Sequence, residues 1–301
     1  MTFPLVPRGR MIGLSYGTMR SLRRGSGTDV AGSRPYQVGD DVHAIDWGAS
    51  ARLSAARSSD EFVVRERFAE EAPRVVIVCD RRPELSFYEP PLPWLDKAAA
   101  MQATAELILE SALLVGGFVG YLDHGSRGEP YWVPPRGGRR LWDLREERLP
   151  SREFDGPRDS LARAFAHLAE HRRSVTSGAF VFALSDFLPL PHEDFWLTAL
   201  EHRWDVVPVV IQDPTWEQSF PAAAGVVLPL RDPRTGRRVH VRLTKREAAA
   251  RREANEQRLL ALLAGFEAAG LDAVVVSSSD PGDILGGFLA WSDLRRLRRA
   301  A

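Results

Sequence analysis

The sequence predicts an α/β fold: a doubly wound, mostly parallel sheet with one antiparallel edge strand, joined to a small β-rich module. Three observations carry this. Five apolar runs, unalternated and rich in β-branched residues, close at Asp80, Asp123, Asp186, Asp213 and Asp280. Such runs mark strands buried on both faces of a parallel sheet. Helix-patterned stretches separate most of them, and Tyr131-Trp132-Val133 follows the second so closely that only a hairpin, hence an antiparallel edge, can join the two.

In chain order, residues 1–72 form a leader rich in Gly, Ser and Arg, with short strand-like pieces such as Glu61-Phe62-Val63-Val64 and a turn signal at Val38-Gly39-Asp40. Its aromatics Tyr36, Trp47, Phe62 and Phe68 call for burial, so it reads as a β-rich module and not a disordered arm. The α/β domain occupies 73–301. Strand 75–79 leads through the loop Glu89-Pro90-Pro91-Leu92-Pro93 into a helix over 94–115, with Pro93 near its first turn and Gly116-Gly117 at its end. Strand 118–122 and the edge strand follow, then an irregular stretch opened by Pro134-Pro135-Arg136-Gly137-Gly138. A helix at 158–172 feeds strand 179–184, and a helix at 192–203 precedes strand 206–211. Residues 213–243 are not helical. There Val226-Val227-Leu228 and Val239-His240-Val241 flank a turn at Asp232-Pro233-Arg234-Thr235-Gly236, a hairpin expected to dock on the leader. A helix from 245 to 269, strand 273–277 and a helix from 282 complete the domain, and the closing arginines 295, 296, 298 and 299 suit a helix C-terminus.

Composition narrows the function classes. Lys+Arg and Asp+Glu each total 40 in 301 residues, so no net charge draws the chain to nucleic acid or an anionic membrane. Cys79 is the sole cysteine and lies in an apolar run, which fits a reducing cytoplasm and excludes a disulfide framework. No stretch reaches the roughly 18–20 apolar residues a spanning helix needs.

A row of aspartates along the carboxyl ends of strands is either a cation site or a set of helix N-caps. Phosphoryl transfer through an aspartyl nucleophile wants a second carboxylate two residues on, and position 82 is arginine. A divalent-metal nuclease or phosphoesterase could draw on Asp80, Asp123, Asp186 and Asp280, but no basic stripe accompanies them to hold a nucleic-acid backbone.

The block Arg34-Pro35-Tyr36-Gln37-Val38-Gly39-Asp40-Asp41-Val42-His43-Ala44-Ile45-Asp46-Trp47, followed by Ala51-Arg52, resembles the signature of the family called domain of unknown function 58. Arg20-Ser21, Gly25-Ser26-Gly27, Phe68 to Glu71, Ser185-Asp186-Phe187, Asp213-Pro214 and the arginine-rich end also resemble it, so the likeness covers nearly the whole chain. The resemblance implies a von Willebrand factor A-like sheet. It further implies a non-enzymatic adaptor or assembly role beside a MoxR-type AAA+ ATPase and a client protein, in the cytoplasm. Members with membrane helices carry them ahead of the signature, so this version is expected to be soluble.

The family's metal-dependent adhesion site uses an Asp-x-Ser-x-Ser loop, a threonine and a third-loop aspartate, oxygen ligation suited to Mg²⁺. Here the first loop reads Asp80-Arg81-Arg82-Pro83-Glu84, with Arg82 and Glu84 at the serine positions, and no threonine stands in Gly156-Pro157-Arg158-Asp159-Ser160. A degenerate site of Asp80, Arg82, Glu84 and Asp186 is therefore expected, with the Arg82 guanidinium in the cation's place and no cofactor. For the signature two readings stand. In one, Gly39, Asp40 and Asp41 simply build a turn, with Trp47 filling a seam and Asp46 pairing with Arg52; in the other, Arg34, Tyr36, Asp40, Asp41, Asp46, Trp47 and Arg52 present a partner-binding face.

Overall fold

The structure, a computed structural model, describes residues 1–8, 14–37, 40–57, 61–86, 95–126, 128–136, 140–188, 196 and 199–300; side chains of 9–32, 66–71, 140 and 300 are outside that description. The Val38-Gly39 turn, the loop 89–93 with Pro93, Gly137-Gly138, the burial of Phe68 and most of the helix at 192–203 thus fall outside it. Of that helix, Trp196 and residues 199–201 are described, and they are helical.

The leader holds two long antiparallel strands, β1 (Leu14–Pro35) and β2 (Val63–Ala72), whose register shifts repeatedly between Leu14 and Gly32. Between them lies a helix the sequence reading missed, α1 (Trp47–Arg57). Its start is set by Asp46, whose Oδ1 accepts from the Ala49 N–H, and it continues through the helix formers Ala49, Ala51, Arg52, Leu53, Ala55, Ala56 and Arg57. Reading 46–52 as signature alone hid an N-cap followed by alanines.

The main sheet contains β3 (Arg74–Cys79), β4 (Phe118–His124), β5 (Pro130–Val133), β6 (Phe180–Ser185), β7 (Asp205–Ile211) and, after the separate hairpin β8 (Val227–Arg231) and β9 (Arg238–Arg242), β10 (Val274–Val276). Spatial order is β10-β7-β6-β3-β4-β5. Every pairing is parallel except β4 with β5, the antiparallel edge. Connections reverse direction between β3 and β6, so the crevice outside those two strand ends is the topological switch point where open α/β sheets place ligands.

Helices cover both faces. On one, α2 (Lys97–Leu114) follows the short helical turn Pro83–Ser86, begins at an Asp96 cap, and packs with the last helix against Val75, Ile77, Phe180 and Phe182. The other face carries, after a short α3 (Arg140–Asp143), the helices α4 (Ser160–Glu170) and α5 (Lys245–Ala268), which bury Phe165, Leu168, Leu262 and Phe266 over Val76, Val78 and Val206. α5 opens on a capping box formed by Thr244 and Glu247. The final helix, α6 (Pro281–Ala300), is capped by Asp280, whose Oδ1 accepts from the Gly282 and Asp283 N–H groups.

Two expectations change here. Residues 1–8, counted above with the leader, belong to the α/β core: Phe3 packs on Phe288 at 4.6 Å and edge-on to Phe182 and Trp291. Arg295, read as a helix-end cation, is instead buried, stacked 4.3 Å over Trp291, bidentate to Asp205 and bonded to Asp272 and the Val6 carbonyl. A buried guanidinium keeps its charge only with such a complement of acceptors, and the chain supplies it from three separated segments.

Candidate functional site

The switch point is filled by an ion network. Asp80 follows β3, and Arg82 turns back over it: its backbone N–H donates to Asp80 Oδ1 at 3.2 Å, its Nε to Oδ2 at 2.7 Å, and its Nη2 to Asp186 Oδ1 at 2.6 Å. Two hydroxyls complete the first carboxylate. Ser160, at the start of α4, donates to Oδ1 and Ser185, at the end of β6, to Oδ2, each at 2.7 Å. Lys97, in the first turn of α2, donates to Asp186 Oδ2 at 3.2 Å and to Glu217 Oε1 at 2.7 Å. All these groups are buried.

Backbone geometry fixes the third loop. Asp186 Oδ1 also accepts from the Leu188 N–H, Ser185 Oγ from the Phe187 N–H, and the Gln212 amide caps the Asp186 carbonyl. Phe187 takes a left-handed φ of 50°, a conformation that costs a non-glycine residue about 1–2 kcal/mol and is held by burial of its ring against Trp196 and Phe266.

Burial alone would raise the Asp186 carboxyl pKa, but Lys97 and Arg82 outweigh it and hold the group below its ordinary value. For Lys97, burial opposes the charge while Asp186 and Glu217 more than restore it, so its pKa rises. Burial lifts that of Glu217 despite Lys97. The set is thus two cations against three carboxylates, and burial moves Glu217 toward protonation while the cations move Asp186 away from it.

Mg²⁺ does not fit this arrangement. The oxygens facing the crevice already accept from two Arg82 nitrogens, two serine hydroxyls and Lys97, and a cation would have to displace a guanidinium clamped between carboxylates. Of the four residues assigned to a degenerate site, Asp80, Arg82 and Asp186 meet. Glu84 does not: it points to the hairpin and receives Arg234 Nε at 2.7 Å and Nη2 at 3.1 Å. Through Arg234 the β8–β9 turn thereby reaches the rim of the main sheet. Lys97, Ser160, Ser185 and Glu217 were not singled out. For Lys97 a signal existed, since it is one of only two lysines among 40 cations. Glu217 sits in an irregular segment where no periodicity points to it.

The other strand-end aspartates have separate duties. Asp123 takes a bidentate contact from Arg148 at 2.8 and 2.7 Å and the Tyr121 hydroxyl at 2.7 Å, while Arg81 lies 3.4 Å away. Asp213 accepts the Leu95, Thr215 and Trp216 N–H groups, and Asp280 caps α6. A shared carboxylate cluster does not form.

In the signature, Arg34 grips Asp40 through Nη1 at 2.7 Å and Nη2 at 2.6 Å. Asp40 also accepts from the Gln37 N–H, and Asp41 caps the turn at the His43 N–H. The expected Asp46–Arg52 pair is replaced: Asp46 Oδ2 accepts Arg65 Nε at 2.7 Å, and Arg52 donates to the Gly48 carbonyl one helical turn back. Nor does Trp47 fill a seam. It is 59% exposed and stands edge-on to Phe62, itself 45% exposed, and Tyr36 is edge-on to the same ring.

A family model described as "Protein of unknown function DUF58" matches residues 32–259. No curated protein sequence matches the chain. Among solved structures, it is similar to the conserved hypothetical protein BatB from Bacteroides thetaiotaomicron, with 14% identity, a TM-score of 0.39 and coverage of 73% of this chain and 99% of that one. It is also similar to an aerotolerance-related membrane protein from Bacteroides fragilis NCTC 9343 with multiple mutations to serines, with 14% identity, a TM-score of 0.40 and coverage of 72% and 98%. Among the described residues, no helix is long and apolar enough to cross a membrane.

Proposed function

We propose that this chain, which belongs to the family of unknown function DUF58, is a non-enzymatic interaction protein: a von Willebrand factor A-like adaptor that works in the cytoplasm with a MoxR-type AAA+ ATPase and a client protein. The observation that carries the reading is the Arg82 guanidinium bridging Asp80 and Asp186 at the switch point. In an adhesion site of this kind a cation links the two loops and recruits a partner's acidic group; here a covalently tethered cation links them permanently, which suits a rim that recognises protein constitutively. The leader supplies the second element. Trp47 and Phe62, with exposed Val42 of the signature, form an apolar, aromatic-rich surface of the type that dominates protein interfaces. Arg34–Asp40 and Arg65–Asp46 hold the backbone beneath it.

The test is association of the purified chain with the AAA+ ATPase of its own genome, followed by size-exclusion chromatography in the ATP- and ADP-bound states. A complex lost in Trp47→Ala, with melting unchanged, supports the adaptor. Absence of association in both nucleotide states, or Mg²⁺-dependent cleavage of single-stranded nucleic acid that Asp80→Asn abolishes, rejects it.

A further inference from the structure

We propose that His167, Glu170 and His171 on α4 form a binding site for one divalent transition-metal ion of the Zn²⁺ type, separate from the switch point. The three are spaced so that one helix face presents two imidazoles a turn apart with a carboxylate between them, the arrangement by which helices deliver ligands to a single metal. The order His-x-x-Glu-His also occurs in a class of zinc peptidases. One ligand atom from each residue can be chosen so that all lie within 4.8 Å of one another. Tetrahedral Zn²⁺ with bonds near 2.1 Å needs ligand separations of about 3.4 Å, which the two imidazoles reach by rotating about χ1 and χ2 out of their present stack.

The hydrogen bonds set the tautomers that coordination requires. His171 Nδ1 lies 2.9 Å from the His167 carbonyl oxygen, which can only accept, so Nδ1 carries the proton and Nε2 keeps its lone pair. His167 Nε2 is buried and has no hydrogen-bond partner. The two rings stack at 4.1 Å with 24° between their planes.

An independent observation comes from β4. His124 is 7% exposed, its ring lies 6.4 Å from that of His167, and its Nε2 likewise has no partner. Two orphaned buried imidazole nitrogens side by side are a cost without a return in the metal-free fold. A bound cation resolves both, with His124 Nε2 accepting from a metal-bound water in the position the helix leaves open. Trp132 walls the cluster, 5.5 and 6.0 Å from the two helical imidazoles, while exposed Glu170 leaves an entry from solvent. Nitrogen ligands select Zn²⁺, Cu²⁺, Ni²⁺ or Co²⁺ over Mg²⁺ and Ca²⁺.

The test is calorimetric titration of the chelator-treated full chain with ZnCl₂ and, in parallel, MgCl₂, together with the visible spectrum after CoCl₂ addition. One Zn²⁺ per chain, intense Co²⁺ bands of a low-coordinate site and no Mg²⁺ heat are expected. Glu170→Gln, at an exposed position, and His171→Ala, at a half-buried one, should each weaken Zn²⁺ affinity by about tenfold or more, with metal-free melting unchanged in Glu170→Gln; His167→Gln should abolish it. Failure of the unmodified chain to bind Zn²⁺, or equal affinity in His171→Ala, overturns the site.

Discussion

Arg82 Nη2 donates to Asp186 Oδ1 at 2.6 Å across 104 positions of sequence, joining the loops after β3 and β6 inside the protein. Its Nε holds Asp80 at the same time. Arg82→Ser should therefore cost about 3–5 kcal/mol, because it leaves buried carboxylates uncompensated. It also leaves Asp80, Asp186, Ser160 and Ser185 oxygens around the vacated volume, with the new hydroxyl among them. Denaturation midpoints and calorimetry should show that MgCl₂ binds the variant and recovers part of the loss, while the unmodified protein gives no Mg²⁺ heat. Clear Mg²⁺ binding by the unmodified protein would contradict the bridge described here.

Lys97→Met keeps the methylene stem and removes the ammonium shared by Asp186 and Glu217. Asp186 retains Arg82, so the orphan is Glu217, whose pKa burial already raises. A carboxyl with a raised folded-state pKa destabilises the fold in full above that raised value, and the penalty is relieved as pH falls through it toward the unfolded value. At pH 7 the variant should lose about 3–5 kcal/mol, and the deficit should shrink toward pH 5. Adding Glu217→Gln should restore part of the loss at neutral pH; urea midpoints across that range decide it.

In the leader, the carboxyl of Asp40 is lowered to about 2, chiefly by the Arg34 hydrogen bond and then by the Gln37 N–H, and that of Asp46 to about 2, chiefly by Arg65 and then the Ala49 N–H. Depressed acids stabilise the folded state above their unfolded pKa, so both contributions are complete above pH ~4 and vanish as pH falls through about 2. Side-chain carboxyl NMR shifts should titrate accordingly. In Arg34→Ala the Asp40 midpoint should rise toward the ordinary range while Asp46 stays put.

Gly156 lies where a Cβ would meet the His124 carbonyl oxygen at 2.6 Å and the Arg81 carbonyl oxygen at 2.9 Å, and its N–H donates to that same Arg81 carbonyl. Both obstacles are backbone. Gly156→Ala should lower stability by about 1–3 kcal/mol through overpacking, visible as a reduced melting temperature. An unchanged melting temperature would show that the loop yields.

The sheet was legible because both faces of its strands are covered, which writes each as an uninterrupted apolar run; β3, β4, β6 and β7 stand within two residues of the ranges read from sequence. The Arg82 loop was legible by substitution against a known pattern. Much else had no local signal. β1 is a long strand of Gly, Ser and Arg, and it is its backbone pairing with β2, a partner distant in sequence, that marks it. Arg295 reads as one of several terminal arginines until three distant segments converge on it. Trp47 admitted two readings, a seam filler or part of a partner-binding face, and its 59% exposure removes the first, because hydrophobicity alone does not settle on which side of the surface an aromatic lies.

Phe3 is seated against Phe288 and Trp291, and the Pro4 carbonyl accepts from Ser292. During synthesis, Pro4 therefore waits for a partner 288 positions further along the chain. That side of the core cannot close until α6 emerges, so the nascent sheet must pass through an interval with apolar surface uncovered, when a chaperone or a premature partner would find it.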